Sequence, residues 1–202
     1  MHISDGILSP PILAGGAVLA AAGVAQGLRK IRDDDIPKTA LLTAAFFVTS
    51  LVHIPAGPTS VHLLLNGLIG ILLGWAAFPA LLIGLLFQSL LFGHGGLSVL
   101  GVHTATVGIP AVAFGLAWRR WAAAMPPPKA AGLAGLGAGL CVALTALFTA
   151  TILVFSGSHW LTTAKAFLAA HAVLMAGEAF LTFFAVAFLL RVRPTLLLGE
   201  AK

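Results

Sequence analysis

Tyrosine is missing altogether, cysteine occurs once, and charged side chains make up only 8% of the 202 residues, against about 25% in an ordinary soluble domain. Each scarcity removes a class of protein. Cys141 alone allows neither an intramolecular disulfide nor a thiolate metal cluster. The few charges are also clustered. None falls between Asp5 and Arg29, between Lys38 and Arg119 or between Lys129 and Lys165, and Glu178 stands alone between Lys165 and Arg191. Those gaps fit one bilayer crossing of about 20 residues, or several. With 59% hydrophobic residues, the chain reads as an integral membrane protein with no room for a separate soluble catalytic domain. The net charge of +5 does not point to nucleic acid, because the basic residues flank apolar segments, where they anchor helices to one membrane face. Membrane lipid is the expected surrounding, and nucleic acid is not an expected partner. An acid at Asp5, with the basic cluster only after the apolar run, does not fit a cleavable signal, so the N-terminus is expected to be retained.

Apolar runs read against Gly and Pro punctuation give seven candidate helices, 11–28, 36–52, 61–77, 79–92, 98–118, 130–155 and 164–190. The third and fourth are short and meet at Pro79, so one of them is open to being a re-entrant segment covered by protein, which would leave six. The expected fold is an all-α transmembrane bundle of seven, or six, helices in a single domain over residues 1–202. With the N-terminus outside and the C-terminus cytoplasmic, all of the eleven basic residues except Lys165 face the cytoplasm, as the positive-inside rule requires. The acidic run Asp33, Asp34 and Asp35 counts little in that rule. The same topology carries all seven histidines toward the outer face: His2, His53, His62, His94 and His159 in or beside outer loops, His103 and His171 in outer helix parts. One interfacial imidazole is commonplace. Seven on one face favour an outward-facing site for a metal or a proton.

His2 directly follows Met1, a spacing that chelates whatever fold surrounds it. The Met1 amine and the deprotonated His2 amide nitrogen close a five-membered ring on a metal, and His2 Nδ1 closes a six-membered one. Because the peptide is planar, these three nitrogens lie nearly in a plane, and one more imidazole completes a square. That geometry suits Ni(II) or Cu(II), low-spin Co(II) less well, and tetrahedral zinc poorly. A free N-terminus is ordinarily frayed. Here Gly6 and the turn at Ser9, Pro10 and Pro11 lead straight into an apolar helix that can hold it, and a large second residue protects Met1 from removal. The best fourth ligand is His62. Thr59 or Ser60 is expected to cap the third helix, placing His62 in its first turn and Asn66 one turn below to orient the ring.

These residues also resemble a known family. Met1-His2-Ile3-Ser4-Asp5-Gly6-Ile7-Leu8-Ser9-Pro10 is similar to the opening signature of the CbiM/NikM family, the substrate-capture membrane subunits of energy-coupling-factor transporters for cobalt and nickel. Gly57-Pro58-Thr59-Ser60-Val61-His62-Leu63-Leu64 resembles the second signature, usually Gly-Thr-Ser-Gly-His-Leu-Leu. Phe92-Gly93-His94-Gly95-Gly96-Leu97 through Leu100-Gly101 resembles the third, and His171 with Glu178 and Thr182 the last helix. The resemblance implies a seven-helix subunit in a prokaryotic cell (inner) membrane. Its N-terminus is inserted into the bundle, and Met1, His2 and His62 hold Ni(II) or Co(II) as transported substrate, with no organic cofactor. It further implies a transmembrane coupling subunit, cytoplasmic ATPase subunits and, often, a small accessory membrane subunit. Val61 departs from the usual small residue, and His94 and His103 stand where many cobalt-type members carry Asp and Asn, which leaves the choice of metal open.

No phosphate-binding Gly-Lys-Ser/Thr loop occurs in these residues, so ATP hydrolysis is assigned to a partner and the chain is not expected to be an enzyme. His53, His94 and His103, with Asn66, are candidates for an inward metal relay or for groups that support the ligands. Glu178, mid-membrane on the face that carries His171, is a candidate polar partner for Gln88 or Asn66. Small residues four apart on the first helix, among them Gly16 and Ala20, Ala17 and Ala21, and Ala21 and Ala25, suit close contact with another helix, in the coupling subunit or in this chain. Capture of Co(II) for cobalamin synthesis is the alternative within the family. More distant are an intramembrane hydrolase using Ser60, His62, Ser98 and His103, which has no nucleophile motif, and capture of an organic vitamin, for which the outer face has few aromatics beyond Trp160.

Overall fold

The computed structural model describes residues 3–52, 54–56 and 59–198. Met1, His2 and His53 lie outside the described residues. Pro10 and Pro11 open α1 (Pro10–Lys30) with φ already set for a helix, and Arg29 and Lys30 in its last turn complement the helix dipole. A 3-10 turn at Asp33–Asp35 leads into α2 (Ile36–Thr49). A two-stranded antiparallel ribbon follows, β1 (Ile54–Ala56) against β2 (Thr59–Val61), with Ile54 opposite Val61. Then come α3 (Asn66–Leu73), a 3-10 turn at Gly74–Ala76, α4 (Ala77–Phe92), α5 (Leu100–Ala122), α6 (Pro127–Phe155), α7 (Leu161–Val192) and the four-residue α8 (Thr195–Leu198). The fold is helical as expected, apart from the ribbon.

The third segment departs most from expectation. A helix from residue 61 is not formed: the chain is strand to Val61, non-helical through 62–65, and helical only from Asn66. The reason is local. The N–H groups of Leu64 and Leu65 are bonded by the Glu178 carboxylate, and Leu65 sits at φ 51°, the left-handed region. Thr59 and Ser60 therefore belong to a strand and not to the start of a helix. Eight helical residues, about 12 Å, cannot cross a bilayer alone. The non-helical 62–65 segment precedes it, with His62, Leu64 and Leu65 buried, the condition for non-helical backbone at membrane depth.

Among the described residues, five stretches are long and apolar enough to cross a membrane: α1, Asn66–Phe92, α5, α6 and α7. Asn66–Phe92 is not one rod. Gly70 packs on Ala111 and Gly115, so α3 descends alongside α5, yet Phe78 lies against Gly108, further back along α5. The chain therefore reverses at Gly74, whose φ of 56° favours glycine. The N-terminal ends of α1 and α5 meet where Gly16 touches Val102 and Gly101 touches Ala17, and α6 packs antiparallel on α7 where Gly135 and Gly139 face Ala179 and Met175.

Two large apolar clusters make up most of the interior. Phe46, Leu64, Ile69, Phe78, Leu81, Leu85 and Val107 fill the part around α3 and α4. Leu68, Ile71, Leu72, Trp118, Ala130 and Val186 fill the part toward the Arg119 end, where the Trp118 indole donates to the Ala130 carbonyl at 2.9 Å and ties α5 to α6. Burial is uneven: 83% of the Asn66–Phe92 window is buried and only 22% of the α1 window.

Candidate functional site

His62 is buried, with Nδ1 2.9 Å from the carbonyl oxygen of its neighbour Leu63. A carbonyl only accepts, so Nδ1 carries the proton, and in the neutral ring the lone pair resides on Nε2, the nitrogen a metal would use. The Leu63 carbonyl thus does the orienting expected of Asn66. Asn66 instead starts α3 and donates from Nδ2 to Thr145 Oγ1 at 3.0 Å.

Glu178, on α7, fixes the backbone just past His62. Its Oε1 accepts the N–H of Leu65 at 2.7 Å and the N–H of Leu64. Its partners are therefore backbone amides, not Gln88 or Asn66. At the other end of α3, the Arg119 guanidinium donates from Nε to the Ile71 carbonyl at 2.8 Å and from Nη2 to the Leu72 carbonyl at 2.7 Å. Its charge lies at the negative end of the helix dipole. The short leg 62–73 is thus held at both ends by a charged side chain from another helix.

The N-terminal segment is held differently. The Ile3 N–H donates to His103 Nε2, on α5, at 3.0 Å. Asp5 Oδ1 accepts the Ser98 N–H at 3.1 Å and also the Ser98 hydroxyl. Gly96 approaches so closely that a Cβ there would stand 2.0 Å from Asp5 Oδ1, so only glycine admits the carboxylate. Ile3 and Leu8 pack with Val99 and Val102 in a small apolar cluster. The opening segment and the Gly-rich 93–98 loop, far apart in sequence, are one contact.

Among the described residues, His94, His159 and His171 do not join this arrangement as a single cluster. His94 stacks on Phe92 at 6.0 Å and its N–H bonds the Gln88 carbonyl. His159 is exposed beside Trp160. His171 is fully buried; its Nδ1 lies 2.7 Å from the Phe167 carbonyl and its ring rests on Phe167. Among the described residues, no group of three or more His, Cys, Asp or Glu side chains is placed to hold a metal. What sequence reasoning did not reach is the contact of Ser98 and Gly96 with Asp5 and the part played by the Leu63 carbonyl. Asp5, the first charge of the chain and the sole one before Arg29, was the available signal.

Comparison with known proteins agrees with this architecture. The family model CbiM, described as the cobalt uptake substrate-specific transmembrane region, matches residues 2–196. A putative metal transport protein of Haemophilus influenzae is 49% identical over 140 residues, 69% of this chain and 68% of that protein. The fused nickel transport protein NikMN of Rhodobacter capsulatus is 36% identical over 118 residues, 54% of this chain and 33% of that longer protein. A crystal structure of a truncated transition metal transporter superposes with a TM-score of 0.79 at 25% identity, over 95% of this chain and 99% of that one. The chain therefore belongs to the CbiM family, the cobalt uptake substrate-specific transmembrane regions, and is a multi-pass membrane transport component.

Proposed function

We propose that the chain, as a single capture domain over residues 1–202, is the substrate-binding subunit of an ATP-driven energy-coupling-factor importer and captures Ni(II), or alternatively Co(II), at the outer membrane face. The Met1 amine, the His2 amide nitrogen, His2 Nδ1 and His62 Nε2 are the four ligands. The observation that carries this reading is the state of His62: a buried ring whose Nδ1 proton is held by a carbonyl, so that Nε2 is the coordinating nitrogen. The anchored Ile3 amide supports it by bringing the chain's first residues to the bundle. Orientation follows from charge. Arg29, Lys30, Lys38, Arg119, Arg120, Lys129 and Arg191 flank the ends of α1, α2, α5, α6 and α7, and the positive-inside rule assigns those ends to the cytoplasm and the N-terminus to the outside.

The transmembrane coupling subunit and the ATPase subunits are separate chains, and the fused relative supports a small accessory membrane partner. On α1 the glycine side turns inward, Gly16 onto Val102 and Gly23 onto Phe78, whereas Ala21 and Ala25 are exposed. These outward alanines are the contact for the coupling subunit; crosslinks from Ala21 only to this chain's own helices would refute that. Release follows from a tilt of the bundle against that subunit, which disturbs the N-terminal segment and His62 together.

The test compares protein with its native Met1 terminus and protein with Gly-Ser added before Met1, each titrated with nickel and followed by visible absorption. The native form should give the yellow band of square nitrogen coordination, and the extended form should not. Equal titrations would move the ligands elsewhere. Because the ligand nitrogens must lose protons, affinity should fall on acidification, by about ten-fold per pH unit for each proton displaced.

A further inference from the structure

We infer that His103 is a positioning residue, not a ligand and not a relay: it grips the peptide group of Ile3 so that the nitrogen donors on that peptide's N-terminal side meet His62. The inference rests on the chelate reading above. A neutral imidazole has one nitrogen that donates and one that accepts. The Ile3 N–H can only donate, so the lone pair it meets at 3.0 Å is on His103 Nε2, and the proton of that ring is on Nδ1. His103 is thus the mirror image of His62, whose Nδ1 proton is taken by a carbonyl. In one ring the Nε2 lone pair is directed to coordination; in the other it is occupied by backbone, and a passing metal would find no lone pair to bind.

His103 is a rigid anchor. It is 95% buried, its own N–H bonds the Val99 carbonyl at 3.0 Å, and its carbonyl accepts the Thr106 hydroxyl at 3.1 Å. The peptide plane it grips is the one joining Ile3 to the chelating residue, the last rigid unit before the proposed donors. Two residues further on, Asp5 on Ser98 supplies a second point of attachment. Two points fix the direction of a chain, where one would leave it free to swing. A chain terminus is otherwise frayed, and holding it in the bound geometry raises affinity by removing the cost of ordering it.

Nickel titration and nickel dissociation by visible absorption, on His103→Leu and His103→Gln in the full chain, test this. Leu removes the acceptor. It should weaken nickel binding by about ten-fold or more and speed dissociation, while the band at saturation stays where the native protein has it, since the four nitrogens are unchanged. Gln offers an amide oxygen to the same N–H and should recover most of the affinity. A shifted band in either variant, or ten-fold weaker binding in a folded Gln variant, would make the imidazole itself a ligand and overturn the inference. So would unchanged affinity and dissociation in the Leu variant. Should the Leu variant not fold, the Gln result decides. The two readings fail separately: if the Gly-Ser extension leaves nickel binding intact, the chelate is wrong; if the extension abolishes binding and His103→Leu does nothing, only the positioning role is lost.

Discussion

The two parts of the chain that carry the proposed ligands are secured in contrasting ways. The leg 62–73 is locked from inside the bundle: Glu178 holds its first amides, Arg119 its last carbonyls, and every residue of α3 is buried. The N-terminal segment is latched from the side, through His103, through the exposed Asp5–Ser98 pair and through a small apolar cluster. A buried charge–backbone contact is costly to break because both partners are left without water. An exposed one is cheap, since water replaces the lost bond. On the proposed reading the two halves of the site have different duties: His62 is the fixed side, and the N-terminal segment is the side displaced when metal is released.

Breaking the fixed side should do the most damage. Glu178→Leu strands two buried N–H groups, and at about 1–3 kcal/mol for each the thermal unfolding transition in detergent should fall sharply, with nickel binding lost. Glu178→Gln keeps an acceptor oxygen and should fall far less; equal losses in both would mean that the charge, not the hydrogen bonds, is what matters there. Arg119→Met removes both bonds to the end of α3 and is expected to cost about 2–4 kcal/mol by the same measurement. Arg119→Lys restores the charge but not the fork, and should recover only part.

The latch should respond differently. Asp5→Ala, or Gly96→Ala, whose new Cβ would collide with the Asp5 carboxylate, should leave the unfolding transition within about 1 kcal/mol of native. Both should raise amide exchange over the first residues and speed nickel release. A global loss of stability as large as that of Glu178→Leu would erase the distinction between the halves.

The smallest effect is expected far from the site. Lys38, in the first turn of α2, donates at 2.8 Å to Asp35 in the turn before it, and this hydrogen bond holds the Asp35 carboxyl below its ordinary value of 3.8. A lowered carboxyl stabilises the fold above its ordinary pKa, and that contribution is lost as pH falls through the lowered value. Asp35→Asn should therefore cost a few tenths of a kcal/mol at neutral pH and nothing in acid, with nickel binding unchanged.

Much of this was legible in the residues themselves. Charge-free gaps of bilayer length marked the apolar segments, and the Met1-His2 spacing carries its chelating chemistry in covalent geometry, which no fold alters. What was not legible is where a helix yields to a contact from elsewhere. The run Val61 to Leu73 has no residue that forbids a helix after Thr59 and Ser60, yet a carboxylate more than a hundred residues later takes the Leu64 and Leu65 amides and turns Leu65 left-handed. Likewise, the opposite proton placements of His62 and His103 depend on a carbonyl facing one ring and an N–H facing the other. Composition and spacing determine which segments suit the membrane and which donor atoms the chain offers, because solvent transfer and local bonding act residue by residue. Which nitrogen of His62 and of His103 carries the proton was decided only by the tertiary structure, because a hydrogen bond needs its partner in place.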